Sequence, residues 1–238
     1  MAEVTLAVAA DGLSRRFGSV QAVRGVSLSL SPGSVLLLVG PNGSGKTTLL
    51  RLLATALRPT AGWAKIFGRD TVRDAGAVRE ITAFVGSSPG VYGALSAIEN
   101  LEFAAAMSGG QPPGTAPLEA VGLNHVARRP VRTFSQGMKR RLALARAWMR
   151  APRLLLMDEP FNGLDADGLR VLEQLLNDVK SRGGSVVLAT HEWERGLTLA
   201  DSVMALVDGR TVAMAASEQF STARLGRLTG TRLTGITR

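Results

Sequence analysis

The stretch Gly40-Pro41-Asn42-Gly43-Ser44-Gly45-Lys46-Thr47 constrains this chain more than any other. The apolar run Val35-Leu36-Leu37-Leu38-Val39 precedes it, and Thr48-Leu49-Leu50-Arg51-Leu52-Leu53, of helical composition, follows. Strand, glycine-rich turn, Lys-Thr and helix together are the context that a phosphate-binding loop requires. Glycines let the backbone turn tightly with its N–H groups facing inward, a nest for phosphate oxygens. The helix start adds the positive end of its dipole. Lys46 is placed to reach terminal phosphates, the Thr47 hydroxyl to ligate magnesium, and Thr48 completes the candidate set. Glycine-rich turns also join strands to helices with no ligand present, but the flanking elements and the Lys-Thr pair favour a nucleoside triphosphate.

The 238 residues, 45% of them hydrophobic, suffice for one substantial core. There is no cysteine, so neither a disulfide scaffold nor a thiolate metal site is available. No apolar run approaches the ~20 residues of a membrane-spanning helix, and Met1-Ala2-Glu3-Val4 lacks the basic start of a signal peptide. A soluble cytoplasmic chain is expected. Net charge is +9, mostly from arginine. Such a balance suits nucleic acid or anionic lipid as neighbours, or simply a solvated arginine surface.

Polar and apolar positions alternate from about Val4 to Leu30, with Gly12, Gly18 and Gly25 between them, which predicts short antiparallel strands. The helix after the glycine-rich turn should stop before Pro59. Strands are expected at Trp63–Phe67, Ile81–Val85, Leu154–Met157 and Ser185–Thr190, and helices at Ala97–Met107, Ser135–Arg150 and Asp165–Arg182. On the helix from Ser135, the stripe Met138, Leu142, Ala145 and Met149 reads as core, while Lys139, Arg146 and Arg150 read as a solvated flank. The tail after about Ser217 is basic and weakly patterned. Alternating strands and helices imply right-handed crossovers and a parallel sheet covered on both faces.

Three of these strands end in reactive side chains: Val39 at the glycine-rich turn, Met157 at Asp158-Glu159, and Thr190 at His191. Ligands of open α/β sheets sit at that carboxyl edge. Asp158 could hold magnesium opposite Thr47, and Glu159 could accept a proton from an attacking water. His191 could hydrogen-bond the phosphate or the water. Each has a mundane alternative by itself; together with the loop they favour catalysis.

At this point the chain resembles the ATP-binding cassette (ABC) ATPases, from about Leu13 to Arg210. Phe134-Ser135-Gln136-Gly137-Met138, followed by Lys139-Arg140-Arg141-Leu142-Ala143-Leu144-Ala145-Arg146-Ala147, is similar to the family signature, usually Leu-Ser-Gly-Gly-Gln. Phe134, Gln136 and Met138 depart from it; Ser135 and Gly137 match. The resemblance implies that Ser135, Gln136 and Gly137 cap ATP held by a second cassette. It also places Phe17 against adenine, with Val23 as a possible second wall. Asn162-Gly163-Leu164-Asp165 matches the loop that crosses to the partner, and His191 the switch histidine. The family's glutamine after the strand ending at Val85 is missing, because that place reads Gly86-Ser87-Ser88-Pro89-Gly90.

What the resemblance implies is an α/β P-loop NTPase fold: a RecA-like parallel sheet flanked by helices, an antiparallel β subdomain at the N-terminal end and a helical signature subdomain. Residues 1–238 would form one cassette, with the helical subdomain inserted at about 90–150 and a basic tail from about 217. ATP and Mg²⁺ are the implied cofactors, with Lys46, Glu159 and His191 catalytic and Thr47 and Asp158 at the metal. The implied partners are a second copy of the chain and an integral membrane transporter subunit, a separate polypeptide under which the cassette sits on the cytoplasmic face. Within the family the loops look most like the ATP-binding subunits of haem exporters of cytochrome c maturation. Multidrug and polysaccharide exporters are the alternative. Cassettes that act on ribosomes or nucleic acid usually carry a second cassette or a long coiled-coil insertion, so no nucleic acid partner is expected.

Overall fold

Val35–Val39 forms β3, and all five of its residues are buried. A computed structural model describes residues 5–230. β3 runs parallel to β8 (Ser185–Ala189) on one side and β9 (Ser202–Val207) on the other, while β7 (Leu154–Asp158) and β6 (Thr82–Val85) continue the parallel order beyond β8. Runs without a polar position suit strands covered on both faces. Successive side chains then divide between two cores. Val35, Leu37 and Val39 join one apolar cluster with Leu155, Met157, Val186 and Leu188. Leu36 and Leu38 join the other with Leu154, Leu156, Val187 and Ala189.

On the second face lie α1 (Lys46–Leu53) and a four-stranded antiparallel sheet of β1 (Val8–Phe17), β2 (Val20–Leu30), β4 (Ala61–Ile66) and β5 (Arg69–Asp70), in the order β2-β1-β4-β5. The alternating segment expected as short strands is thus two long ones, bent where the β1–β2 register shifts. Behind this sheet, α2 (Ala75–Ile81) ends where β6 begins. Between β6 and β7 the chain turns helical, with α3 (Ala97–Ala106), α4 (Ala116–Ala120) and α5 (Gln136–Trp148). Then α6 (Ala166–Ser181) and α7 (Trp193–Leu199) follow β7 and β8 respectively. No helix among the described residues is long and apolar enough to cross a membrane.

The sheet carries an element the pattern did not suggest. β9 and β10 (Arg210–Ala216) are antiparallel, joined through Asp208 and Gly209 with φ of 48° and 77°. Two successive positive φ angles are what a tight hairpin with right-handed strand twist requires, so an antiparallel strand edges the otherwise parallel sheet. The basic tail is ordered as far as α8 (Thr222–Thr229), which buries Leu225; the tail expected beyond Gly230 lies outside the described residues.

Two of the three residues on the basic flank of α5 are not simply solvated. Arg146 donates to the Gly90 carbonyl, and Arg150 donates to the Arg79 carbonyl at 2.6 Å and to the Ser108 hydroxyl at 3.0 Å. Long arginine stems let these guanidinium groups reach the loop at Gly90, the last turn of α2 and the Ser108 hydroxyl.

α3 is fastened by a reciprocal cap: the Ser96 hydroxyl accepts from the Glu99 N–H at 3.3 Å, and the Glu99 carboxylate accepts from the Ser96 N–H at 2.7 Å. Ser96→Ala is expected to lower unfolding free energy by about 1 kcal/mol while leaving ATP affinity intact, measured by urea denaturation and nucleotide titration. An unchanged midpoint would contradict that cap's role.

Candidate active site

The loop leaving β3 is shaped by glycines that no other residue could replace. At Gly40, φ is 150° and a Cβ would sit 2.1 Å from the Leu206 carbonyl oxygen; at Gly45, φ is 102° and a Cβ would meet the Ala22 oxygen at 2.3 Å. The first bond of α1 runs from the Leu49 N–H to the Gly45 carbonyl, 2.8 Å. The N–H groups of Lys46, Thr47 and Thr48 therefore have no acceptor within the helix. Lys46 is only 8% exposed, and its ammonium turns back to donate to the carbonyls of Gly40 (2.7 Å) and Pro41 (3.0 Å). Burial lowers its pKa, while Glu159 and Asp158 pull it up. The Ser44 hydroxyl is buried with no protein partner. Orphan donors, a buried cation and a loop with no room for side chains fit a polyphosphate.

β7 delivers Asp158 to the same edge. Its carboxylate is 4% exposed and accepts the Thr47 hydroxyl, whose Oγ1 lies 2.9 Å from Oδ2 and 3.1 Å from Oδ1. Burial raises the Asp158 pKa; Thr47 lowers it, Glu159 adds to the rise, and Lys46 opposes it. A hydroxyl and a carboxylate are hard oxygen donors, and no cluster of three acidic or histidine ligands exists among the described residues. That set fits a magnesium ion completed by phosphate oxygens and water, not an all-protein cage.

Glu159 follows with φ 52°, a left-handed conformation that costs about 1–2 kcal/mol for a residue bearing a Cβ. Its N–H donates to the Ala189 carbonyl at 2.7 Å, which ties β7 to β8. Its carboxylate Oε2 accepts the His191 backbone N–H at 3.2 Å and lies 2.8 Å from His191 Nδ1. The sheet order β3-β8-β7 thus brings Lys46, Asp158, Glu159 and His191 together.

Lys46, Asp158 and Glu159 border a cleft of about 480 Å³ whose walls are Phe17, Ala22, Asn42 to Thr48, Ser87, Asp158 and Glu159. Phe17 is 44% exposed, and the Arg15 guanidinium lies 4.5 Å from its ring centroid. Val23 is not a wall: it is buried in the core under the antiparallel sheet, and Ala22, its neighbour on the opposite strand face, lines the cleft. Ser87 reaches the cleft where the family glutamine is missing.

Ser135 and Gln136 are exposed and do not line this cleft. Ser135 caps α5, accepting the Met138 N–H at 3.1 Å. A Cβ on Gly137 would lie 3.4 Å from the Gly163 carbonyl oxygen and 3.5 Å from Asp165, so the signature packs on the loop 162–165, apart from the phosphate cleft. One residue of this neighbourhood escaped the sequence reading. Arg140, 3% exposed, donates to the main-chain carbonyls of Gly86, Glu159 and Asn162. Its only signal in the sequence is its place in the stretch after the signature.

A family model described as ABC transporter matches residues 23–162. The chain belongs to the ABC transporter ATPases. This ABC ATPase is 40% identical to the cytochrome c biogenesis ATP-binding export protein CcmA 2 of Cupriavidus metallidurans, over 81% of this chain and 92% of the relative. It is 34% identical to the daunorubicin resistance ATP-binding protein DrrA3 of Streptomyces coeruleorubidus, over 90% and 69% respectively. The lantibiotic transport ATP-binding protein SrtF of Streptococcus pyogenes is 32% identical, over 85% and 87%. Among solved structures, an ATP-binding subunit of an ABC transporter superposes with a TM-score of 0.81 at 26% identity, covering 97% of this chain and 95% of that one. The ABC ATPase therefore binds and hydrolyses ATP as a transporter subunit.

Gly45→Ala is expected to weaken ATP binding more than tenfold, because the new methyl must displace the Ala22 peptide and the strained φ adds about 1–3 kcal/mol. Equilibrium titration with a fluorescent ATP analogue checks this; parental affinity would contradict the cradle geometry.

Proposed function

We propose that this chain powers haem export for cytochrome c biogenesis, working as a homodimer on the cytoplasmic face of the cell membrane beneath a separate membrane-spanning subunit. The observation that carries this reading is the 40% identity to a cytochrome c biogenesis export ATPase across 92% of that relative's length. A second such protein, from Pseudomonas putida, is 41% identical over 70% of this chain and 80% of its own. Residues 1–238 act as one cassette, with a helical subdomain at about 90–150 and a basic tail from about 217. No nucleic acid takes part.

In the proposed mechanism Phe17 stacks on adenine, and the loop from Gly40 to Thr48 holds the phosphates through main-chain N–H groups. Lys46 leaves the carbonyls of Gly40 and Pro41 to meet the terminal phosphates. Thr47 and Asp158 would hold magnesium, which would supply charge neutralisation for the phosphates. Glu159 accepts the proton of the attacking water, and His191, 2.8 Å from that carboxylate, orients it. Ser135, Gln136 and Gly137 of a second copy cap the nucleotide from the other side. Their donors and the dipole of α5 spread the charge that develops on the phosphate.

A second reading, export of a drug or peptide, is supported by the matches to DrrA3 and SrtF. Deleting the gene separates the two. Haem-stained gels should lose the c-type cytochromes if haem export is the function; intact cytochromes with new sensitivity to toxic compounds would favour the second. For the chemistry, Glu159→Gln is expected to keep ATP affinity, accumulate as a dimer with ATP and lose about 10²–10⁴-fold in kcat. Parental turnover in that variant would remove Glu159 from the base role. Lys46→Ala should weaken ATP binding itself.

A further inference from the structure

Only three charged side chains are buried among the described residues: Lys46, Asp158 and Arg140. The first two face the phosphate cleft. Arg140 does not line it and has no carboxylate bonded to it; burial lowers its pKa, against the pull of the more distant Asp158 and Glu159. Its partners are peptide carbonyls instead. Nε donates to Asn162 at 3.1 Å, one terminal nitrogen to Gly86 at 2.5 Å and the other to Glu159 at 2.6 Å. A buried guanidinium costs heavily unless its donors are satisfied, and here every satisfied donor fixes a peptide of a different functional segment.

Those three peptides have something in common. The Glu159 carbonyl belongs to the residue held at a positive φ with its carboxylate beside His191. Gly86 opens the loop that carries Ser87 into the cleft. Asn162 opens the loop on which Gly137 packs. Arg140 itself sits one turn into α5, the helix capped by Ser135. The loop 86–90 has no long side chain to anchor it. It is bound to α5 at both ends, at Gly86 by Arg140 and at Gly90 by Arg146.

We propose that Arg140 is a positioning residue for hydrolysis. Its planar fork holds the backbone of Glu159 in the conformation that aims the carboxylate, and couples that backbone to the helix whose N-terminus meets the partner's nucleotide. A site would then become competent for hydrolysis only when α5 of the same chain is seated. The inference rests on Glu159 as the base. Lysine at position 140 keeps the charge but cannot present a flat fork to three separate carbonyls.

The test is steady-state ATP hydrolysis by the full chain together with equilibrium binding of a fluorescent ATP analogue. Arg140→Lys is expected to bind the analogue stoichiometrically, with affinity and KM within about threefold of the parent, and to lose at least tenfold in kcat, as a step limited by a misplaced base should. The Hill coefficient for ATP should fall towards one. Parental kcat with a parental Hill coefficient would overturn the proposal. If Arg140→Lys fails to bind stoichiometrically, Arg140→Gln, which retains two coplanar N–H donors, is held to the same criteria. Loss of binding in both variants would show that Arg140 serves folding alone and would likewise overturn it. Glu159→Gln, measured alongside, separates the two claims. Turnover by Glu159→Gln sinks the base assignment, whereas an inactive Glu159→Gln beside a fully active Arg140→Lys sinks only the role of Arg140.

Discussion

Burying a charge is expensive, and among the described residues this protein does it at one sheet edge. Lys46, Asp158 and Arg140 are each less than one-tenth exposed, and each is held by hydrogen bonds from the loops that build the site. Isolated, any of them would be driven towards its neutral form or out to solvent. Held together, Lys46 still has its pKa lowered and Asp158 its pKa raised, because burial outweighs their mutual attraction. Nucleotide phosphates and a divalent cation are the natural completion of such an edge. They would bring negative charge to Lys46 and positive charge to Asp158, in place of the carbonyls and hydroxyl that hold them here.

The parallel sheet is what allows this concentration. β3, β8 and β7 are adjacent and point the same way, so their carboxyl ends deliver the glycine loop, His191 and the Asp158-Glu159 pair within hydrogen-bonding range. The two apolar faces of those strands hold the edge rigid from both sides. The helical segment between β6 and β7 adds what the sheet cannot supply, a helix N-terminus displayed away from the chain's own cleft. Ser135 and Gln136 are exposed there while every charge that would grip ATP lies elsewhere. On the proposed mechanism, one chain therefore holds two unlike halves of a site.

Much of this was legible in the sequence, for a physical reason. Fully apolar runs ending in Gly, Asp-Glu or His announce buried strands and their reactive ends, and a helix stop or a serine cap leaves a local mark. Failures came where the deciding contact is distant or depends on one position in register. Val23 and Ala22 are chemically similar neighbours, and only the pleat of β2 decides which meets the cleft. Arg140 stands between Lys139 and Arg141 in a stretch that reads as solvated, and its partners lie 19 to 54 residues away in sequence. The β9–β10 hairpin was marked by Asp208-Gly209, but the alternation around it is masked by the buried run that β9 needs as a central strand.

That two unlike halves meet across a pair of chains is the claim on which the whole account stands. The protein has no cysteine, and Asn42 in the phosphate loop and Gln136 in the signature are both exposed. The most direct measurement is disulfide trapping of the Asn42→Cys, Gln136→Cys double variant on non-reducing gels. A cross-linked dimer that forms with ATP and fades with ADP is the predicted result. No cross-link with ATP, or one indifferent to nucleotide, would contradict the account.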